Sequence, residues 1–388
     1  MRILHYIQSV DFRNGGPPRA VVDQVATMKA RGHEAALATT VIRDVPPEWT
    51  DVDAKGFPEV IGLGPVGGPL ARLDATSSST IRQAVGRFDV VHLHGVWEPS
   101  NLQVAAACRD AKTPHVISLR GMLDDWSMEQ SRWRKRLYML AGGRKMLERA
   151  SAVHCTADAE LAQSRKWFPR GRGAVVPNLM DMSPYASVPD PEVARNRWPE
   201  LRACDSSVLF LSRIQHKKGM EHLVDAMSIL ASRDDAPHLM IAGTGDSEYE
   251  ERIRKQADDL GLGSRISWVG HVGGDLKNSL FAACDVFALP TSQENFGFVF
   301  FESLACGTPV VTTDLVDTRD EIERSGGGVI VSQDAEAFAD AIASFRDGRR
   351  DAASMGTSGR EWTLKNLSTE EVSSRFERLY ESCIGESR

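Results

Sequence analysis

The sequence predicts an α/β protein made of two doubly wound parallel sheets. Three observations lead to this fold class: short unbroken apolar runs alternate with helix-like segments, the alternation begins twice, and a polar stretch separates the two series. Continuous β-branched runs between helices are typical of parallel strands covered on both faces. The 388 residues, 42% of them hydrophobic and 26% charged, have the ordinary composition of a soluble globular protein and suffice for two domains.

The first series of strands occupies the N-terminal half. Its apolar runs are "RILHYI", "EAALATTV", "DVVHLH", "HVISL" and "AVHCT". Between them lie segments such as "PRAVVDQVATMKARG", in which apolar residues recur at helical spacing. The opening "MRILHYIQSV" lacks the long apolar region and small-residue cleavage site of a signal peptide, so we interpret it as the first strand. No apolar run reaches the roughly 18 residues that a bilayer span needs.

The second series begins near Ser207, after the polar, proline-containing stretch "PNLMDMSPYASVPDPEVARNRWPE". Its predicted strands are "SVLFLSRI", "HLMIAG", "ISWVG", "VFALP", "PVVTT" and "GGVIVS". We take the polar stretch as the linker, which gives domains of residues 1–183 and 184–367. Ligands of such sheets bind beyond the carboxyl ends of the strands, so we expect a site in a cleft that the two domains face.

Charge and cysteine usage narrow the function classes. The formal charge is −7, but residues 1–183 hold 24 Lys and Arg against 19 Asp and Glu, whereas the remainder holds 22 against 34. The basic first half suggests an anionic partner, and the weak balance argues against nucleic acid. The six cysteines are scattered singly, which argues against a zinc site or a disulfide framework and fits the cytoplasm.

The stretch "TSQENFGFVFFESLACGTPVV" contains two carboxylates on either side of a Phe-Gly step. We expect a loop after the strand "VFALP" and a helix from about Phe298 to Cys306. Gly297 would permit close backbone approach, and the free amides of the helix start would attract an anion. Because Glu294 precedes the helix and Glu302 lies within it, they are unlike a side-by-side acid/base pair and better suited to bind sugar hydroxyls. A capped surface helix with two solvated glutamates is the alternative.

The stretch "LSRIQHKKGMEHL" supplies positive charge. Arg213 ends a predicted strand, and Lys218 precedes Gly219 and a helix. Two cations in a strand-to-helix loop can neutralise phosphate oxygens and stabilise a departing diphosphate. A basic surface loop is the alternative, but this loop and the Glu294 loop are expected at the same edge of one sheet.

Together, "SRIQHKKG", "IAGTGD" and "ENFGFVFFESLACGTPVVTTD" resemble the retaining glycosyltransferases of family 4, which have the two-domain GT-B fold. The E-x7-E pair Glu294 and Glu302 is the most specific mark. "NGGPPRAVVDQVATMKARGHEAALAT" and "DVVHLHG" resemble the first half of the family, so the likeness covers nearly the whole chain. It implies that residues 1–183 form an acceptor-binding domain and residues 184–367 a domain that binds the nucleotide-sugar donor. It also implies that the last helix, about residues 368–388, crosses back to the first domain.

The resemblance also implies roles for individual residues. Arg213 and Lys218 would hold the donor diphosphate, Glu302 the ribose and Glu294 the donor sugar. Further donor contacts would come from the amides of Asn295, Phe296 and Gly297, from Gly16 and His94 of the first domain, and from a turn at Gly243. His94 could instead be a core histidine at a strand end.

Two positions depart from the family pattern, and no cofactor or metal is expected. Arg120 and Gly121 stand where the family often has His-Gly before the acceptor loop, and Leu179 follows Asn178 where it usually has glycine. Asp51 and Asp53 form a DxD pair, which holds a metal in other transferases. They fall in a polar loop away from the predicted functional edge, so we expect no metal there.

The segment 126–149 combines aromatic and basic residues. A helix of this composition suits an anionic membrane surface, and we expect acceptor or membrane contact from Arg120, Trp126, Trp133, Arg134 and Lys135. A helix whose aromatics are core and whose cations are solvated or bind the acceptor's phosphate is equally compatible with the sequence.

These observations predict a cytoplasmic, metal-independent, retaining glycosyltransferase at the inner face of the membrane. The resemblance implies a nucleotide diphosphate sugar as donor, UDP-linked in preference to GDP-linked, and a glycan or lipid-linked glycan acceptor in surface polysaccharide synthesis. There are three alternatives. The first is a glycoside hydrolase, which also uses paired carboxylates. The others are a dehydrogenase and a module that binds a sugar nucleotide without turnover. The oligomeric state is not predicted.

Overall fold

A computed structural model describes residues 1–51, 55–68, 71–233 and 236–386 of the chain. The chain divides into two compact units, one formed by Met1–Asp181 with Thr369–Arg388 and the other by Met182–Ser368. Each unit contains one sheet in which all paired strands run parallel. The predicted fold class is therefore confirmed.

The sheet of the first unit has seven strands in the order β3-β2-β1-β4-β5-β6-β7. They are β1 (Arg2–Tyr6), β2 (Glu34–Thr39), β3 (Glu59–Gly62), β4 (Val90–His94), β5 (His115–Ser118), β6 (Ala152–Cys155) and β7 (Gly173–Val175). Five of them fall within the predicted runs. The two edge strands, β3 and β7, were not predicted, because they are short and only partly buried and so show no continuous apolar run.

The sheet of the second unit has six strands in the order β10-β9-β8-β11-β12-β13. They are β8 (Ser207–Leu211), β9 (His238–Ala242), β10 (Ile266–Gly270), β11 (Val286–Leu289), β12 (Val310–Thr313) and β13 (Gly328–Val331). All six coincide with predicted runs. The central pair β8 and β11 is almost completely buried, as expected for parallel strands in the middle of a covered sheet.

Helices connect the strands in both units. They are α1 (Gly16–Ala30), α2 (Pro47–Thr50), α3 (Ala75–Val85), α4 (Pro99–Asp110), α5 (Asp125–Glu129), α6 (Arg132–Tyr138), α7 (Arg144–Glu148), α8 (Asp158–Ser164), α9 (Glu192–Arg197), α10 (Glu200–Ala203), α11 (Met220–Ser232), α12 (Ser247–Asp259), α13 (Gly274–Ala283), α14 (Phe298–Ala305), α15 (Arg319–Arg324), α16 (Ala335–Arg346), α17 (Ala352–Asn366) and α18 (Thr369–Gly385). None of these described helices is both long enough and apolar enough to cross a membrane.

Several helix starts are encoded by a single residue. The carboxylates of Asp74, Asp246, Asp334 and Asp351 each accept a hydrogen bond from a backbone amide in the first turn of α3, α12, α16 and α17, respectively. Such a cap satisfies one of the amides that the helix leaves without a partner and contributes about 1 kcal/mol. These caps fix where the helices begin after their loops.

Helix α18 is part of the first unit, although it follows the whole of the second in sequence. Its buried residues are Val372, Ser373, Phe376, Leu379, Tyr380 and Cys383, and they recur at helical spacing. The Tyr380 hydroxyl lies 2.8 Å from Nδ1 of His92 in β4 and accepts a hydrogen bond from the Gln24 amide of α1 at 3.0 Å. The Glu377 carboxylate accepts two hydrogen bonds of 2.8 Å from Arg31 and lies 2.8 Å from the His33 ring. The helix is thus fastened by both apolar and charged contacts.

Replacing Glu377 with glutamine should destabilise the first unit in a pH-dependent way. The pKa of Glu377 is lowered to about 2, chiefly by the hydrogen bond from Arg31, from its ordinary value of 4.5. Its stabilisation is therefore present above pH 4.5 and is lost as the pH falls towards 2. Urea unfolding at neutral pH should show a loss of about 1 kcal/mol for Glu377→Gln, and this difference should disappear across that pH window.

Glu371→Gln is the matched control on the same helix. Glu371 forms ion pairs with Arg375 and Arg378 of α18 itself, at exposed or half-exposed positions, so its loss should change the free energy of unfolding by less than about 0.5 kcal/mol. Equal losses in the two variants would contradict the anchoring role of Glu377.

Candidate functional site

Two loops of the second unit meet where the winding of the sheet reverses. Strand β8 has β9 on one side and β11 on the other, so the loops that follow β8 and β11 leave the same edge side by side, where ligands of open α/β sheets bind. The backbone carbonyl of Lys217 accepts hydrogen bonds from the Ser292 amide at 2.9 Å and from the Thr291 hydroxyl at 3.2 Å. The predicted basic loop and the predicted Glu294 loop are therefore in direct contact.

Lys218 and Glu294 form an ion pair in this site. Lys218 is only 7% exposed, and the Glu294 side chain is less than a quarter exposed, so both charges lie largely out of water. Burying such charges is favourable only when they are paired or bind an oppositely charged ligand. The sequence placed a phosphate-binding cation and a sugar-binding carboxylate here, and the structure brings these two residues together.

Arg213 is exposed at the end of β8. Within the described ranges it makes no ion pair and no side-chain hydrogen bond, in contrast to Lys218. A free guanidinium offers a planar set of five N–H donors that matches phosphate oxygens. Its position at the reversal point is the one that the sequence predicted.

Helix α14 begins at Phe298, as predicted, directly after Gly297. Gly297 has φ +65°, in the left-handed region, and a Cβ there would lie 2.4 Å from the Phe300 ring and 2.9 Å from Glu294 Cγ, so only glycine fits. The neighbouring Phe296 is buried against Phe301. This packing holds the backbone of the helix start in place, and its first amides have no partner within the helix.

Glu302 of α14 pairs with Lys277 of α13 at 2.7 Å, and each side chain is 20% exposed. The sequence analysis did not identify Lys277, which appears in "DLKNSLFAA" as one cation two residues after Asp275. Glu294 and Glu302 are thus held by different lysines. As the sequence indicated, they do not form an acid/base pair that shares a proton.

The Gly-Thr-Gly turn after β9 packs tightly on the loop after β8. A Cβ at Gly243 would lie 1.9 Å from the Ser212 carbonyl oxygen, and one at Gly245 would lie 1.7 Å from that of Ile214. Both glycines are therefore required by backbone contact. This places Gly243 beside the strand end that carries Arg213.

In the first unit, the predicted site residues lie on β4, on β5 and at the start of α1. Gly16 is the first residue of α1, while its neighbour Gly15 adopts the positive φ of +100°. His94, the last residue of β4, is only 2% exposed. Its Nδ1 lies 3.1 Å from the Arg120 guanidinium and its Nε2 lies 3.1 Å from His5 Nδ1. Since arginine only donates, His94 must carry its proton on Nε2 and donate it to His5.

A second hydrogen-bonded chain continues across the same face of the sheet. His154 Nε2 donates to the Val176 carbonyl at 2.8 Å, so its Nδ1 accepts from the Ser118 hydroxyl at 2.7 Å. Ser118 in turn accepts from His92 Nε2 at 2.7 Å, which leaves His92 Nδ1 to accept from the Tyr380 hydroxyl. Each ring is therefore held as one neutral tautomer.

Burial keeps these histidines uncharged. It lowers the pKa of His5 to about 3 and of His154 to about 4, and with neighbouring histidines and Arg120 it holds the pKa values of His92 and His94 well below their ordinary range. Ring nitrogens of His5, His92 and His94 lie within 4.8 Å of one another, as in a metal site. The hydrogen bonds already made by His92 and His94, and the adjacent Arg120 cation, oppose a metal ion there.

Arg120 lies inside the first unit. It has a positive φ of +53°, and its guanidinium donates to Asn178 Oδ1 at 2.9 Å as well as facing His94. Burial lowers its pKa to about 10, so it remains charged at neutral pH. Arg120, one departure from the family pattern, therefore contacts Asn178, the residue that precedes the other departure, Leu179.

The segment 126–149 is not one helix, as the sequence suggested, but α5, α6 and α7 with a π-helical turn, Met139–Gly143, before α7. Gly142 has non-helical backbone angles and breaks the run. Trp126 and Trp133 are 44% and 78% exposed, Arg134 is exposed, and Lys135 lies 5.1 Å from the Trp97 ring. The aromatic residues Trp126 and Trp133 are therefore not core residues. Of the Asp51/Asp53 pair, Asp53 lies outside the described residues.

Comparisons with known proteins agree with this fold. Residues 15–179 match the family described as "Glycosyl transferase 4-like domain" and residues 197–362 match "Glycosyl transferases group 1". The chain is 30% identical over 352 residues to the phosphatidyl-myo-inositol mannosyltransferase of Mycobacterium leprae, which covers 85% of this chain and 83% of that protein. It is 33% identical over 187 residues to the lipopolysaccharide core biosynthesis mannosyltransferase LpsB of Rhizobium meliloti, covering 44% and 50%.

Solved structures share the fold at low sequence identity. Anabaena Alr3699/HepE in complex with UDP has a TM-score of 0.76 at 21% identity, covering 98% of this chain and 100% of that one. Sucrose-phosphate synthase from Thermosynechococcus elongatus has a TM-score of 0.76 at 20% identity, covering both chains completely. The chain has two parallel-sheet units, its E-x7-E carboxylates lie at the reversal point of the second sheet, and family models match both of its halves. The chain therefore belongs to the family 4 glycosyltransferases, the glycosyl transferases group 1, of GT-B fold.

Proposed function

We propose that the protein is a retaining, metal-independent glycosyltransferase that moves a sugar from a nucleoside diphosphate sugar to a hydroxyl of a glycan or lipid-linked glycan. One observation carries the donor part: Lys218, Glu294 and the start of α14 meet at the reversal point of the second sheet. A diphosphate calls for cations and backbone amides, and sugar hydroxyls call for carboxylates. This edge of the sheet offers both.

Arg213 and Lys218 are proposed to neutralise the diphosphate. The ammonium of Lys218, which is paired with Glu294, would also bind a phosphate oxygen. Glu294 would then accept hydrogen bonds from sugar hydroxyls as well. Glu302, held by Lys277, would accept hydrogen bonds from the ribose. Prepositioned charges of this kind stabilise the charge that develops as the diphosphate leaves.

The proposed reaction exchanges one bond to the anomeric carbon for another. The bond to the diphosphate oxygen breaks, the acceptor oxygen bonds to the same face, and the acceptor proton passes to the departing diphosphate. No enzyme nucleophile is assigned. We also assign no proton transfer to His94, since both of its ring nitrogens are engaged by Arg120 and His5. Its contact with the sugar remains a prediction, as does that of Gly16.

The relatives' names bear on the choice of donor and acceptor. Proteins of Mycobacterium tuberculosis and Mycolicibacterium smegmatis, 33% and 28% identical, are named GDP-mannose-dependent phosphatidylinositol monomannoside mannosyltransferases. These names favour GDP-mannose over the UDP-sugar that we expected from sequence. Together with LpsB they also favour a glycolipid or lipid-linked glycan acceptor.

The alternatives have less support in the site. A glycosidase needs one carboxyl group that can give up a proton and a second that stays ionised, whereas Glu294 and Glu302 each pair with a lysine. A module without turnover would share the donor site, so an assay must exclude it. If the protein were a dehydrogenase, it would bind a nicotinamide cofactor.

A thermal-shift panel of GDP, UDP, ADP, CMP and NAD should stabilise the protein with one nucleoside diphosphate. A ligand that binds only the folded state at a hundredfold excess over its Kd stabilises by about 2.7 kcal/mol. Glu302→Gln should weaken the binding of that ligand about tenfold, because one charge-assisted hydrogen bond is lost.

Glu323→Gln serves as the matched control, since Glu323 is exposed in the second unit and should leave the response unchanged. Absence of a shift with any diphosphate would overturn the transferase proposal, and a shift with NAD alone would point to the dehydrogenase.

Proton NMR of the first product formed should show that its new glycosidic bond has the same anomeric configuration as the donor. The assay is run with GDP-mannose and UDP-glucose and phosphatidylinositol in mixed micelles, with and without EDTA. Turnover should persist in EDTA, because charge neutralisation is assigned to Arg213 and Lys218. An inverted product, or loss of turnover that added Mg²⁺ restores, would contradict the proposed mechanism.

We further propose that the first unit touches anionic membranes through an exposed surface on α6 and the π-helical turn. Trp133, Leu137 and Leu140 are 78%, 68% and 86% exposed, and their spacing places them along one side of the helix. Arg132, Arg134 and Arg136 are exposed beside them. An apolar stripe flanked by cations is typical of helices that lie in the membrane interface.

Wild-type protein should therefore sediment with phosphatidylglycerol vesicles at low salt and less so at high salt, because the attraction is partly electrostatic. The triple variant Trp133→Ser, Leu137→Ser, Leu140→Ser should lose most of this binding. Val188→Ser with Val193→Ser, which removes two exposed aliphatic residues of the second unit, should not. Failure of the wild type to bind, or equal binding by all three proteins, would refute the membrane contact.

A further inference from the structure

The loop after β4, residues 95–98, lies at the reversal point of the first sheet. Strand β1 has β2 on one side and β4 on the other, which is the topological equivalent of the site described in the second unit. Gln8 follows β1, and Glu98 closes the loop after β4 immediately before α4. By the rule for open α/β sheets this edge is a ligand-binding position.

The Glu98 carboxylate is held in an unusual setting. It is partly exposed, its Oε2 accepts a hydrogen bond from Asn101 Nδ2 at 3.2 Å, and in the described part of the chain it has no cationic partner. Burial raises its pKa. A carboxylate shielded from water without a compensating cation is unfavourable, so a role in folding alone does not account for it.

The surrounding residues fix this carboxylate in position. Gly95 has φ +91°, and a Cβ there would lie 3.0 Å from Glu98 Oε2 and 3.3 Å from Met122 Cε. Asn101, which is completely buried, also donates to the Gly95 carbonyl at 2.9 Å, and the Tyr138 hydroxyl donates to the Glu98 carbonyl at 3.3 Å. Such support is typical of groups that bind a ligand in a defined geometry.

Polar atoms and aromatic rings flank the carboxylate. Gln8 accepts a hydrogen bond from the Ser100 hydroxyl at 3.1 Å through its side-chain oxygen, and its NH₂ group makes no hydrogen bond to the described residues. Asn101 Oδ1 and Trp97 Nε1 are buried without a hydrogen-bond partner among the described residues. Trp97 contacts Tyr138, with ring centroids 5.6 Å apart. Buried polar atoms without a partner call for an explanation, and a ligand that bonds to them is one.

We propose that this loop is a subsite for the neutral, hydroxyl-bearing ring of a sugar acceptor, in which Glu98 accepts a hydrogen bond from one hydroxyl and the Gln8 amide donates to a neighbouring oxygen. The subsite rests on the proposed glycosyltransferase function and adds Glu98 and Gln8 to the acceptor contacts that the sequence predicted. A phosphate is disfavoured by the unpaired carboxylate. An ammonium group is disfavoured by Lys135, whose Nζ lies 5.1 Å from the Trp97 ring.

The test measures the binding of methyl α-D-mannopyranoside and methyl β-D-glucopyranoside by saturation-transfer NMR with the full chain. At least one should bind the wild type, and Glu98→Gln should weaken it about tenfold, as expected when one charge-assisted hydrogen bond is lost. The deoxy analogue that lacks the recognised hydroxyl should bind wild type and Glu98→Gln equally weakly. Glu129→Gln, an exposed carboxylate of the same unit, should bind like the wild type.

Stability and nucleotide binding separate this role from a structural one. Because the pKa of Glu98 is raised by folding, its ionised form opposes folding above its ordinary pKa, and Glu98→Gln should be at least as stable as the wild type at neutral pH. The variant should also keep the thermal shift with a nucleoside diphosphate. No sugar binding by the wild type, or equal binding by Glu98→Gln, overturns the subsite alone, whereas absence of any diphosphate shift overturns the proposed function.

Discussion

In each sheet the chain builds outward from the first strand to one edge and then returns to the other side of that first strand. The loops after the two central strands consequently emerge next to each other, with no intervening helix between their starting points. The ion pair between Lys218 and Glu294 follows from this constraint. Residues 213–218 and 290–297 are more than 70 positions apart in sequence, yet the hydrogen bonds to the Lys217 carbonyl join them.

The two reversal points differ in how they handle charge. In the second unit, partly buried carboxylates are balanced by Lys218 and Lys277, which leaves a polar surface of low net charge with Arg213 free beside it. In the first unit, the histidines of β1, β4 and β6 are kept neutral and locked in single tautomers. Their pKa values are held so low by burial that this network does not change its protonation within the physiological range, so the position of α18 on it is insensitive to pH there.

Much of this organisation was predictable from sequence, for a physical reason. The six strands of the second sheet are buried on both faces and so appear as apolar runs, and the start of α14 is marked by the glycine that its tight contacts require. Contacts between different βα units were not predictable. Lys277 approaches Glu302 only because α13 packs beside α14. The histidines come together because the register of neighbouring strands places His5 opposite His92 and His94 opposite Ser118. The edge strands β3 and β7 were missed because they are short and only partly buried, and the break at Gly142 was missed because its backbone geometry outweighs composition there.

The sequence position of α18 makes the first unit discontinuous along the chain, since residues 182–368 are inserted between its two parts. During synthesis all residues of the second unit are made before residues 369–388, which include Phe376 and Tyr380, the residues that contact His92. Until these residues are made, the first unit lacks the contacts that they supply. A chain that stops before residue 369 therefore lacks part of its N-terminal unit, even though every strand of that unit is present.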